Sequence, residues 1–142
     1  MESDEQKVLI LEFIKKHSIC VLATVTAEIK PEAAVITFAI TDNFELVFET
    51  FTNYRKYQNL KSNSATAFVI GWDEKITVQY ESITEELSGE DLKKYQEIYF
   101  QKNPKLRNWD NLPNMKWFRA TPTWIRYLDN NTDPKTVHEF IF

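Results

Sequence analysis

Glycine is nearly absent. Gly71 and Gly89 are the only two in 142 residues, against an ordinary share of about 7%. That excludes the common phosphate loops, because a Rossmann fingerprint needs three spaced glycines and a P-loop needs two followed by Lys-Ser/Thr. If a nucleotide binds, another architecture holds it. Cysteine is reduced to Cys20, which excludes an internal disulfide framework and fits a reducing cytoplasm. Cys20 lies in the apolar run ICVLATV, where a buried structural thiol is expected rather than a nucleophile. Histidine is limited to His17 and His138 with no paired spacing, so no metal centre is expected. No apolar run approaches the roughly 18 residues of a membrane helix. The acidic, polar start MESDEQK does not read as a signal or transit peptide. A cytoplasmic protein with no membrane partner is expected. Long basic runs are lacking too, and net charge is −4, which argues against nucleic acid as the main partner.

What is present is a core. Hydrophobic residues make up 43% and aromatic residues 14% of the chain, so it reads as globular rather than disordered. No repeat, low-complexity tract or linker divides it, and a single domain over residues 1–142 is expected. Ser3 and Gln6 read as the cap of a first helix, with Val8, Leu11, Phe13 and Ile14 at helical spacing. Strands follow at residues 18–26 (SICVLATVT), 32–40 (EAAVITFAI) and 44–50. The first turn lacks glycine, so a loose hairpin is expected there. A short helix capped by Asn53 runs to about Ser62. Strands at 65–71 and 75–87 come next, then a helix from Ser88 to about Gln101 and an irregular stretch over 108–114. Strands at 116–128 and 136–142 end the chain, with Pro122 marking an edge or a bulge. Antiparallel strands interrupted by short helices predict an α+β, mainly β, barrel.

The most informative stretch is LVFETFTNYRKYQNLKSNSATAFVI, residues 46–70. A strand ends at Thr50, and Arg55-Lys56 then open a helix. The first N–H groups of a helix lack partners and its dipole is positive there, so anions collect at that end. Arg adds a planar fork for phosphate and Lys a point charge. The alternative is that Arg55 and Lys56 form a solvated helix face.

In this stretch the chain resembles the pyridoxamine 5′-phosphate oxidase-like, FMN-binding split-barrel family. The likeness runs from about His17 to Leu128. It is carried by Thr50, Tyr54-Arg55-Lys56, Asn59-Leu60 and Asn63 before the apolar strand 67–70. The resemblance implies an antiparallel split β-barrel with short flanking helices. It implies FMN, with Arg55 and Lys56 on the phosphate, Tyr54 beside them and Thr50 on the flavin. The strand at 35–38, with Val35 and Thr37, would lie against the ring. Thr77 or Gln79 would come from a second subunit. Trp117, with Trp124 and Tyr127 in the late strand, reads as core or dimer interface, with cover of a flavin edge as the alternative. The resemblance also implies a homodimer with cofactor at the interface and redox chemistry on a small-molecule substrate.

The chain departs from the family in places. Tyr54 replaces a small residue before Arg-Lys, and Ser82 stands where glycine is frequent. Thr136-Val137-His138 lacks the Arg of the Arg-x-His element that takes the substrate phosphate in true pyridoxamine phosphate oxidases. Strict vitamin B6 oxidase activity is therefore not expected. The rival readings are a haem or deazaflavin in the same slot, with His138 as the late haem ligand, and a cofactor-free binding module. His17 reads as a capping histidine, the Tyr95, Tyr99, Phe100 stripe as barrel packing, and residues 103–114 as a lid.

Overall fold

The computed structural model describes residues 3–142, apart from the side chains of residues 109–111. Helix α1 (Asp4–Lys15) starts on a capping box, with Ser3 accepting from the Gln6 amide and Gln6 reaching back to the Ser3 amide. Its buried face, Ile10, Phe13 and Ile14, packs into the sheet. The strands are β1 (Ile19–Val25), β2 (Pro31–Thr37), β3 (Ala39–Ile40), β4 (Leu46–Phe51), β5 (Ala65–Ile70), β6 (Ile76–Glu86), β7 (Met115–Asp129) and β8 (Thr136–Ile141). Helix α2 (Arg55–Ser62) links β4 to β5, and α3 (Gly89–Lys102) follows β6.

The strands form one antiparallel sheet in the order β2-β1-β5-β6-β7-β4-β3, with β8 also on β7. The stretch expected as one strand over 32–40 is two. Before the fully buried Phe38 the backbone pairs with β1, and after it with β4. This change of partner carries the chain from one end of the strand order to the other and curls the sheet into the expected split barrel.

Period-two burial fills the inside. Leu22, Phe48, Phe68, Tyr80, Phe118 and Ile125 are all within 1% of full burial. Phe48 stacks on Phe118 at 5.6 Å and meets Phe68 edge-on at 5.9 Å. Burial of each such side chain contributes roughly 2–3 kcal/mol. A second cluster lies between the β4–β7 part of the sheet and α3, where Val47 and Trp117 meet Tyr95, Tyr99 and Phe100. The aromatic stripe of α3 therefore packs on the barrel as its spacing predicts.

Other details differ from the sequence reading. The β1–β2 hairpin is tight rather than loose, because Ile29 takes the left-handed conformation (φ 63°) usually left to glycine. Of the two readings of Pro122, the bulge holds and the edge does not. The β6–β7 register shifts between Glu81 and Ser82, opposite Pro122 and Trp124, and on the other side β4 pairs only to Ala120 while β8 starts at Trp124. Its missing N–H falls in that gap. Residues Pro104–Asn111 form a 3-10 helix against α3, so that only 112–114 of the stretch expected to be irregular over 108–114 is so. Among the described residues no helix is long and apolar enough to cross a membrane.

Candidate functional site

The start of α2 faces the β1–β2 hairpin across a groove of about 350 Å³. Leu22, Thr24, Glu32, Ala33 and Ala34 form one wall, and residues Asn53 to Lys56 the other. Strand β4 delivers the chain to this point, and the Tyr54 amide turns back to donate to the Phe51 carbonyl at 3.1 Å. Tyr54, not Asn53, occupies the N-cap position and gives no side-chain hydrogen bond to the helix. The first turn of α2 therefore lacks a side-chain oxygen at its cap, and only its Tyr57 amide is seen to donate inward, to the Tyr54 carbonyl at 3.1 Å. The reason is steric sequence choice: a phenol ring cannot fold back on its own helix as the short Asn side chain does.

The two cations differ. Arg55 has an exposed side chain and forms an ion pair with Glu32. Lys56 lies over the Tyr54 ring, 4.8 Å from its centroid. Burial draws the Lys56 amine below its ordinary range, against the pull of the Glu49 carboxylate. Burial also lifts Glu49 above the carboxylate range, opposed by Tyr99 and Lys56. Glu49 Oε2 and Tyr99 Oη are both buried and lack a hydrogen bond of good geometry. Lys56 thus stands between a half-buried acid and the groove.

Glu32 is clamped from a second side. Asn59, one turn into α2, donates from Nδ2 to Glu32 Oε1 at 2.8 Å and to Thr24 Oγ1 at 3.0 Å. Asn59 and Thr24 are 6% and 2% exposed. This clamp ties α2 to both strands of the hairpin. Sequence reasoning noted Asn59 only as part of a motif and missed Glu32, since nothing local marks a glutamate at a strand start as facing a distant helix.

The other sequence-derived residues separate into groups. Tyr54, Arg55 and Lys56 line the groove. Thr50 is 2% exposed and its hydroxyl points at the Phe51 carbonyl. Val35 and Thr37 continue β2 beyond the groove, with Val35 59% exposed. Thr77 and Gln79 lie on β6, and Val35, Val21, Val69 and Gln79 form one cross-strand row on the outer sheet face. They do not reach the groove of their own chain. Trp117 needs correction. It is 3% exposed, 4.8 Å from Tyr99 and 5.4 Å from Phe100, so it is core beneath α3 and covers no groove. The alternation of β7 puts residue 117 on the face that α3 needs for its apolar stripe.

His17 Nδ1–H donates to the Phe13 carbonyl at 2.9 Å, and the ring packs on Phe13, closing α1. His138 stacks on Tyr127 at 5.9 Å. Cys20 is fully buried, and burial pushes its thiol up to about 12, which leaves it inert. Among the described residues no group of three His, Cys, Asp or Glu side chains is placed to hold a metal.

No functionally curated protein matches the sequence. The fold matches a haem-binding protein from Mycobacterium smegmatis with a TM-score of 0.80 and 13% identity, over 99% of this chain and 59% of that one. The chain thus spans about three-fifths of that relative. A haem storage protein from Vibrio cholerae, HutZ, matches with a TM-score of 0.68 and 15% identity, over 99% and 95% of the two chains. A pyridoxamine 5′-phosphate oxidase-related, FMN-binding protein from Nostoc punctiforme matches at 0.67 and 12%, over 100% and 97%. At these identities the likeness is one of fold. The sequence itself matches the family model described as pyridoxamine 5′-phosphate oxidase over residues 8–129. With its split barrel and the Arg-Lys pair at the start of α2, the chain belongs to the pyridoxamine 5′-phosphate oxidase family.

Proposed function

We propose that this chain binds FMN in the groove at the start of α2 and serves as a cytoplasmic oxidoreductase for a small molecule. The observation that carries this reading is the uncapped α2 N-terminus with Arg55 and Lys56 on the groove wall. Those groups suit a phosphate, through the helix amides, a guanidinium fork and an ammonium charge. The β2 wall, Ala33 and Ala34, is narrow enough to let a flat ring approach the backbone. When bound, FMN supplies the hydride or electron transfer. The protein's part is to fix the phosphate end and to exclude water from the ring.

The proposal includes a homodimer. Ile19, Val35, Val69 and Ile83 leave 44%, 59%, 38% and 49% of their surfaces exposed. Together with Val21, Ala23 and Ala67 they make an apolar outer face across β2, β1, β5 and β6. Such a face calls for a partner. A second copy would cover it and bring Thr77 and Gln79 towards the groove of the first.

The fold likeness to two haem proteins supports a second reading, haem in place of flavin, with the half-buried His138 as ligand. The visible spectrum of the purified protein separates the two, taken before and after adding FMN and gel filtration. Retained flavin bands that disappear in the Arg55→Ala/Lys56→Ala double variant are the expected result. A Soret band moves the assignment to haem, and retention of neither pigment overturns both and leaves a cofactor-free module.

A further inference from the structure

The phosphate end of the groove already contains an anion of the protein's own. Glu32 pairs with the Arg55 guanidinium and accepts from Asn59. Its side chain keeps 24% of its surface, and the Arg55 side chain 79%. The carboxylate is therefore held from behind by a buried amide while the guanidinium it engages lies at the open edge. A phosphate dianion arriving at Arg55 would meet a fixed negative charge on the same fork. It would have to share that fork or displace the carboxylate, and displacement would leave Asn59 Nδ2 with Thr24 alone. Lys56 does not offset this fully, since part of its charge answers Glu49. Glu32 on the groove wall and Glu49 behind Lys56 thus stand against the two cations.

We propose that Glu32 is a specificity-determining residue that competes with ligand phosphate for Arg55, so that the groove binds FMN with little preference over the unphosphorylated riboflavin. This rests on the flavin reading above. The ring and ribityl contacts would carry most of the affinity, and the phosphate would add little until the ion pair opens. The opposite arrangement, a phosphate-selective groove, would need the fork of Arg55 free of an internal partner.

The test is titration of FMN and riboflavin, followed by flavin fluorescence, into the unmodified protein, Glu32→Gln and Glu32→Ala. Gln keeps an oxygen for Asn59 and removes only the charge, so it retains the clamp. Glu32→Gln is expected to tighten FMN about tenfold and to leave riboflavin within about twofold, by removal of one nearby like charge in a partly screened site. An unchanged ratio of FMN to riboflavin affinity in both variants overturns the proposal. Inorganic phosphate, titrated against the Arg55 side-chain N–H signals, gives a readout that does not depend on flavin. If no flavin binds any form, the flavin reading fails. The competition by Glu32 then stands if phosphate binds Glu32→Gln several-fold more tightly, and falls if it does not.

Discussion

At the residue scale, the two glycines of the chain do unlike work. Gly71 has φ +80°, and a Cβ there would lie 2.5 Å from Phe13 Cζ and 2.8 Å from Cε2. Neither the backbone nor the packing admits a side chain. Gly71→Ala is expected to cost about 2–4 kcal/mol in urea unfolding; a loss below about 0.5 kcal/mol would show that α1 can move away freely. Gly89 also has positive φ (62°) but open space around it, so only its conformation matters.

Lys102 carries a pH signature. Its amine donates to the His17 carbonyl, lies 3.8 Å from the Phe38 ring centroid, and is drawn by burial from 10.5 to about 8, with Cys20 opposing. In the folded chain this proton leaves near pH 8, whereas the unfolded chain keeps it to about pH 10.5. The unfolded state binds more protons within that window, so the Lys102 contribution to stability rises with pH through it. Buried Tyr80 and Cys20, both held above their ordinary range by burial, push the other way. Comparison with Lys102→Met in a Cys20→Ala background cancels the Tyr80 share and removes that of Cys20, which is coupled to Lys102. The stability difference between the two proteins is expected to move in favour of Lys102 as pH rises through the window. A difference that stays flat with pH would falsify this account.

At the scale of elements, α2 is short, and its N-terminus has no side-chain cap. Eight residues are too few for an isolated helix to persist in water. What holds it is Leu60 in the core and the Asn59 clamp to Thr24 and Glu32. Asn59→Ala is expected to lower stability by about 1–3 kcal/mol. It should also weaken FMN retention out of proportion, because the helix start then loses its fixed distance from β2. Thermal unfolding and flavin titration of the same sample measure both, and unchanged flavin affinity in a destabilised variant would disconnect the clamp from the groove. The sheet elements hold differently. Strand β6 carries Tyr80, fully buried, whose hydroxyl donates to the Phe44 and Ala120 carbonyls at 2.5 Å and 3.2 Å. Next to it the Thr66, Ser82 and Thr84 hydroxyls form a buried group at 2.7 Å spacings. Ser82, where the family frequently has glycine, thus has a structural occupation between β5 and β6.

At the scale of the whole molecule, the apolar outer face is the largest consequence of the fold. Its row Val35-Val21-Val69 leads to Gln79 and then to Arg126 and Glu139, so the apolar surface gives way to a polar rim. This is the anatomy of a subunit interface. Light scattering after gel filtration is expected to give a dimer for the unmodified chain and a monomer for Val35→Asp/Val69→Asp. Flavin retention should fall with dissociation if, as proposed, Thr77 and Gln79, which lie away from the groove of their own chain, serve that of a second copy. A monomeric unmodified protein that still retains FMN would remove the second copy from the site.

The sequence by itself determined the split barrel, the order of its elements and the position of the Arg55-Lys56 pair after β4. Local periodicity and turn chemistry give the elements and an antiparallel barrel, and the split barrel is what the family resemblance of the 46–70 motif implies. The sequence also determined the burial of Cys20 and of the α3 aromatics, because apolar spacing alone selects the inward face. Tertiary structure alone decided the rest. Only the change of strand partner at Phe38 brings Glu32 opposite Arg55, and only the register of β7 under α3 takes Trp117 away from any groove. Pairings between residues distant in sequence depend on which faces meet when the sheet curls, and the energy that selects them belongs to the packed whole.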